Sequence, residues 1–210
     1  MTFDIWILNL YSMTFKDISP DTKTTYTLNA NEQHVFFMLN RSGDIVFELA
    51  GENATARVFA FFIGKGKAAA ALNIVQRHLV PRTTSHVLVK SILHDASRFS
   101  YRGTVHIAET ATLSDASQEN RNLLLSRNAQ AFSEPALEIL TSDVRCHHAA
   151  TTSPLNQEAL LFAQARGLSS KQAEQLLTDG FLRSSIDTMS EFITLEEKET
   201  VLSLMGNISR

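Results

Sequence analysis

From about Tyr26 to Ala150 the chain is a series of short apolar runs, each broken by a polar turn. "HVFFMLN" is followed by "RSGD", "IVFELA" by "GENA", and "RVFAFFI" by "GKGK". The series continues through "ALNIVQRHLV", "SHVLVKSIL", "FSYRGTVHIA", "NRNLLLS", "QAFSEPALEIL" and "DVRCHHAA". Runs this short and this rich in Val, Ile and Phe favour strands over helices. The Gly, Asn, Asp and Ser between them accept turn dihedrals or bond their own backbone. Two architectures suit such a series: a sandwich of hairpins, or a solenoid of stacked coils. No Asn-Gly or Asp-Gly hairpin turn occurs within it. Run starts recur roughly every 10 to 15 residues, as expected if each coil uses two strands. The pattern therefore favours the solenoid without closing off the sandwich.

After Ser153 the period changes. "NQEALLFAQARG" sets Ala159, Leu160, Phe162 and Ala163 along one side and stops at Gly167, a residue suited to a left-handed C-terminus. "SSKQAEQLLTDGF" opens with Ser169 and Gln172 at capping-box spacing, and Ala173, Leu176, Leu177 and Phe181 form an apolar stripe. "TLEEKETVLSLMGNI" repeats the device with Thr194 and Glu197, its face made by Val201, Leu204, Met205 and Ile208. Three short helices must pack on something to be stable. The expected organisation is a β core over residues 1–153 and a helical domain over residues 154–210.

Composition narrows the function. A chain of 210 residues with 44% hydrophobic content is long enough to bury roughly 70% of its unfolded surface without a disulfide or metal to supply a core. A net charge of -3 offers no electrostatic case for nucleic acid or an anionic membrane. The one cysteine cannot form an intrachain disulfide, which fits a reducing cytoplasmic compartment. "FDIWILNLYSM" lacks a basic n-region and is too short to span a bilayer, so it reads as a strand or docking segment.

The chemical signals are few. "GKGK" at Gly64 to Lys67 lacks the loop length and the Ser or Thr of a phosphate loop, and reads as a turn. "HIAE" at His106 to Glu109 lies in a strand-like run, and His34, His78, His86 and His94 are scattered singly. "DVRCHHAA" is different. In an extended strand Val144, Cys146 and His148 share one face while Arg145 and His147 take the other. A thiol and an imidazole on one face can hold one metal or sulfur species, but two ligands fall short of a closed tetrahedral site. His148 would also lower the thiol pKa and make Cys146 reactive. The bland alternative keeps Cys146 as a small buried apolar residue with both histidines at a solvent edge.

Together, "RTTSHVLVKSILHDASRFSYRGTVHIA", "DASQENRNLLLS", "PALEILTSDVRCHHAATTSPLNQEALLFAQARGLS" and "AEQLLTDGF" resemble the SufB/SufD family of the Suf iron–sulfur cluster assembly system. The likeness runs from about Val58 to Leu182. It implies a right-handed parallel β-helix followed by a small C-terminal helical domain. "DVRCHHAAT" looks more like the SufD branch, whose Cys-x-His matches Cys146 and His148. In that branch the histidine faces a SufB cysteine across a subunit interface. The SufB-type sulfur acceptor follows the strand matching "NLLLS", and this sequence has Ala129 there. His147 replaces the small residue usual between the cysteine and histidine.

Several expectations follow from the resemblance. The protein is a cytoplasmic, non-enzymatic scaffold that forms a dimer with a SufB-like subunit or with itself through the β-helix. It holds an iron–sulfur cluster or iron only transiently, at Cys146 and His148, with the partner completing the site. It docks the SufC ABC-type ATPase through its helices, with Arg166, Gly167, Leu176, Leu177 and Phe181 as the contact residues. Family members are about twice as long and carry an N-terminal helical region not found here, so fewer coils are expected, with Met1 to Phe15 capping an open end. Rival readings are a β-helix enzyme such as a polysaccharide lyase, and a thiol-dependent hydrolase using Cys146 and His148. The first lacks an acidic cluster on successive coils, and the second lacks an orienting acid.

Overall fold

The computed structural model describes residues 13–206. Eleven strands are formed among them: β1 (Thr14–Asp17), β2 (Thr25–Leu28), β3 (Gln33–Leu39), β4 (Gly43–Leu49), β5 (Thr55–Gly64), β6 (Ala69–His78), β7 (Thr84–Leu93), β8 (Arg98–Ile107), β9 (Asp115–Leu124), β10 (Gln130–Ile139) and β11 (Arg145–Pro154). Odd-numbered strands make a six-stranded sheet in the order β1-β3-β5-β7-β9-β11, and even-numbered strands make a five-stranded sheet in the order β2-β4-β6-β8-β10. Every pairing is parallel, as between β5 and β7 or β6 and β8. The chain thus alternates between the sheets, laying one strand on each per coil. This is a parallel β-solenoid, and the hairpin sandwich is excluded.

The corners explain why the coils stack. Asn31, Asn53, Arg82 and Leu113 each sit two residues before an odd-numbered strand, and each adopts a left-handed φ of 57 to 63°. Asn tolerates that conformation, and its side chain bonds along the stack, from Asn53 Nδ2 to Asn31 Oδ1 at 3.2 Å. The "GKGK" stretch is such a turn, with Gly66 at φ 63° joining β5 to β6.

Two apolar cores lie on opposite sides of the odd-numbered sheet. The lumen between the sheets holds Phe36, Met38, Val58, Ala60 and Phe62, packed against Ile45, Phe47, Leu72 and Ile74. The alternate residues Val35, Phe37, Phe59, Phe61 and Ile63 point outward and are buried too. "RVFAFFI" is a continuous apolar run for this reason, since it is covered on both faces. The even-numbered sheet instead turns its outer face to water, with ion pairs from Arg77 to Glu48 and Arg102 to Glu134 along it. That is why "RFSYRGTVHI" alternates.

The cover on the odd-numbered sheet is the helical segment: α1 (Gln157–Ala165), α2 (Ser170–Met189) and α3 (Leu195–Gly206). Leu182, Ile186, Met189, Ile193, Val201 and Met205 close over the outward phenylalanines. The predicted caps form: Ser169 and Gln172 complete a capping box, Gly167 has φ 95°, and Thr194 and Glu197 bond each other's backbone N–H. α2 continues through Gly180 and is longer than its sequence pattern suggested. Lys90, on the outer face of β7, is 2% exposed and donates to Phe181 O and Ser184 Oγ of α2, with its ammonium over the Phe181 ring. The capping role expected of Met1 to Phe15 falls mostly outside the described residues; Thr14 and Phe15 belong to β1, which pairs with β3.

Candidate functional site

Among the described residues the last coil is made by β10 and β11. Among the described residues β10 and β11 each have a neighbour on one side only, β8 and β9, so their far edges carry backbone groups with no described strand beside them. Register shows which side chains face the lumen there. Ala131, Ser133, Pro135, Leu137 and Ile139 continue the columns of Phe99, Tyr101, Gly103, Val105 and Ile107, all buried. Cys146, His148 and Ala150 continue those of Ala116, Gln118 and Asn120. These are interior positions with no described coil following them. Leu137 is 40% exposed and Ile139 37% exposed for that reason alone. Pro135 fits an edge strand, because it has no N–H to donate.

The alternation expected of "DVRCHHAA" is present. Cys146 is half-buried and, with Val144, packs against Val105, Ile107, Ala111 and Ala116. His148 is on the same inward face, one register position further along the strand face, and is exposed through the open end. His147 points the other way, beside Ser117 on the outer face. Burial, reinforced by Asp115, raises the Cys146 thiol above its ordinary pKa. This runs against a thiolate activated by His148: desolvation is the larger cause, and the charge that adds to it, Asp115, is negative. Among the described residues no three His, Cys, Asp or Glu side chains gather as a metal site. Cys146 and His148 are therefore two candidate ligands on one face, joined by no third among the described residues.

Beneath this mouth the lumen turns polar, which the sequence reading missed. Gln118, Asn120 and Asn122 are each 1 to 2% exposed on the inward face of β9. Gln118 Nε2 donates to Gly103 O at 3.0 Å. The signal was present as alternation in "SQENRN", but polar residues on both phases hide which phase is inside. His78, one of the singly scattered histidines, is a satisfied core residue. It is fully buried, with Nδ1 2.7 Å from Thr83 Oγ1 and Nε2 2.7 Å from Ser85 Oγ, and burial lowers its pKa to about 4.

The helical candidates separate. Arg166, Gly167 and Leu176 are exposed, Leu176 by 54%, and Leu177 is half-buried. Phe181 faces the sheet, where it packs against the outer core under Lys90. Phe162, placed by its spacing with the packed residues of α1, is 59% exposed beneath the Arg166 guanidinium, and Leu161 beside it is 63% exposed. The α1 and α2 helices thus leave Leu161, Phe162 and Leu176 exposed. Ala129, at the position expected of a SufB-type acceptor, is buried in the turn before β10. No described helix is long and apolar enough to cross a membrane.

Residues 24–181 match the family described as SUF system FeS cluster assembly, SufBD core domain. The chain is 28% identical over 134 residues to the iron-sulfur cluster assembly protein SufD of Escherichia coli, covering 64% of this chain and 32% of that protein. It is 29% identical over 135 residues to SufB of Bacillus subtilis, covering 64% and 29%. A SufBD family protein of Synechocystis is 34% identical over 107 residues, covering 51% and 24%. The chain thus spans about a third or less of the length of these curated relatives. Near-equal identity to a SufD and a SufB does not separate the two branches. With a parallel solenoid, a terminal helical segment and a family match over most of its length, the chain belongs to the SufBD family of Suf iron–sulfur cluster assembly proteins.

Proposed function

We propose that this protein is a SufD-like, non-enzymatic scaffold subunit for iron–sulfur cluster assembly in the cytoplasm, working as a dimer. Its solenoid mouth meets a SufB-like subunit, or a second copy of itself. The observation that carries this reading is the exposure of interior positions at the last coil: Leu137, Ile139, Cys146 and His148 all stand in lumen columns. A partner coil placed there would bury them and pair the free edge of β11, whose N–H groups are uninterrupted by proline from Arg145 to Ser153. The cluster, or its iron and sulfide, is cargo in this reading. Cys146 and His148 offer it a soft and a borderline ligand, and the partner supplies the rest.

The exposed helical residues Leu161, Phe162 and Leu176, with Arg166 and Gly167, serve as the seat for a SufC-like ABC ATPase. A thiol hydrolase is disfavoured by the raised Cys146 pKa. The test is complementation of a strain lacking its SufD. His148→Ala, at an exposed side chain, is expected to leave the melting temperature unchanged while cluster delivery to a reporter enzyme falls by about tenfold. Full delivery by this variant removes His148 from the site.

A further inference from the structure

In the early coils the lumen columns are filled by aliphatic and aromatic side chains, which pack without direction. The column Met38, Ala60, Val89 then reaches Asn120, and the column Phe62, Ser91 reaches Asn122. Burying two carboxamides is costly unless every polar atom finds a partner. Here every one does. Asn122 Nδ2 lies 2.8 Å from Asn120 Oδ1, 3.1 Å from Ser133 Oγ and 3.1 Å from Thr152 Oγ1. Ser91 Oγ donates to Asn122 Oδ1 at 2.6 Å, Asn120 Nδ2 donates to Val89 O at 3.3 Å, and Ser133 Oγ donates to Asn120 Oδ1. The knot ties β7, β9, β10 and β11 together. Two of those strands, β10 and β11, are the last described coil, and no described coil clamps it from outside.

We propose that Asn120 and Asn122 are positioning residues for the solenoid mouth. Through Ser133 and Thr152 they fix the register of β10 on β8 and of β11 on β9, and so the direction in which Cys146 and His148 face. An aliphatic pair would fill the same space, yet directional bonds select one register where dispersion contacts tolerate several. That difference explains polar residues at the penultimate rung, where a sliding coil has least to hold it. The inference rests on the reading of the mouth as a partner-completed site.

The test uses the full chain without partners. The double variant Asn120→Leu/Asn122→Leu keeps side-chain volume and removes the knot. A control, Val89→Ala, weakens the same column one coil earlier. Hydrogen exchange is followed strand by strand, with alkylation of Cys146 in parallel. The double variant is expected to speed exchange in β10 and β11, and alkylation of Cys146, by about tenfold or more, with β7 unchanged. The control is expected to move all of these strands together. Exchange at β10 and β11 within about twofold of wild type, or an equal change in β7, overturns the proposal, because a general packing role gives those results. Alkylation and exchange need no cluster, so the two readings fail separately. If the mouth loosens while complementing cells still deliver clusters at the wild-type rate, the knot stands and the site assignment falls.

Discussion

His78 offers a quantitative test of the buried lumen. Its ring is fully enclosed, and both nitrogens are engaged by hydroxyls, Thr83 at Nδ1 and Ser85 at Nε2. Ser85 in turn donates to Gln76 Oε1, and Thr83 Oγ1 lies 2.9 Å from Ser114 Oγ. No carboxylate lies among these partners, and the nearest titratable influences, His86 and His106, oppose a positive charge. The imidazole is therefore held neutral, with its pKa lowered to about 4. In the unfolded chain a histidine titrates near 6.5. Between those values the unfolded state binds the extra proton and the folded state does not. Stability is thus fully present above about pH 6.5 and is lost as pH falls toward 4. Linkage gives a loss of about 2 kcal/mol between about pH 7.5 and pH 5, and about 3 kcal/mol by pH 4. With a urea slope of about 2 kcal/mol/M, the first loss moves the midpoint down by about 1 M. His34, His86 and His94 are also lowered, chiefly by burial, and add to the wild-type slope in the same direction. The variant His78→Leu isolates the one group. Its neighbours in the column are Leu49 and Ile107, so a leucine fits the local chemistry, and Ser85 and Thr83 keep their other partners. Urea titrations at both pH values should show the variant losing about 2 kcal/mol less than wild type on acidification. Parallel losses in the two proteins would refute the reasoning.

Gly103→Ala is expected to be strongly destabilising, because a Cβ there would stand 2.1 Å from Gln118 Oε1 and 2.4 Å from Tyr101 OH. Overpacking of this kind costs about 3 kcal/mol, read as a fall of roughly 6 to 12 °C in Tm; an unchanged Tm shows that the lumen has slack. Lys90, whose pKa is lowered to about 8 by burial, loses its proton in the folded state before the unfolded one does. Wild-type stability should accordingly rise by roughly 2 kcal/mol from about pH 8 to pH 10, and Lys90→Met should abolish that rise; its persistence in the variant assigns the slope to another group.

Much of the fold could be read from the sequence because solenoid strands are short and locally punctuated. "IVFELA", "SHVLVKSIL" and "QAFSEPALEIL" all became strands near the positions their apolar runs mark. The helix caps were legible for a related reason: a cap is a contact between residues three apart, and so is written in a few consecutive letters. What stayed hidden was long-range. β9 begins at Asp115, several residues before "NRNLLLS", because its inward face is polar and resembles a turn. Phe162 and Leu161 share a helix with Leu160 and Ala163, and only the packed structure shows which of them water reaches. The Cys146–His148 face followed from strand alternation alone, whereas its exposure depended on there being no described coil beyond β11. The thiol's raised pKa comes chiefly from burial, with a further push from Asp115, thirty-one positions away in sequence yet at the neighbouring strand's start.

The helices and the sheet cannot be treated as separable parts when docking is tested. Removing everything after Ser153 would uncover Val35, Phe37, Phe59, Phe61, Ile63 and Ile92 together. At about 1.5 to 3 kcal/mol for each buried side chain of this kind, the loss is of the order of 10 kcal/mol. That matches the whole stability of an ordinary domain, so a truncated chain that failed to bind the proposed ATPase would report unfolding as readily as a lost seat. Charge placed at exposed Leu176 or Phe162 avoids this, since neither residue belongs to the buried clusters. The same shared core has a mechanical consequence. A partner seated on α2 would press on a helix that is bonded to β7 through Lys90, and β7 is joined by continuous ladders to β9 and β11. The strand that carries Cys146 and His148 therefore belongs to the same hydrogen-bonded sheet on which the helices rest.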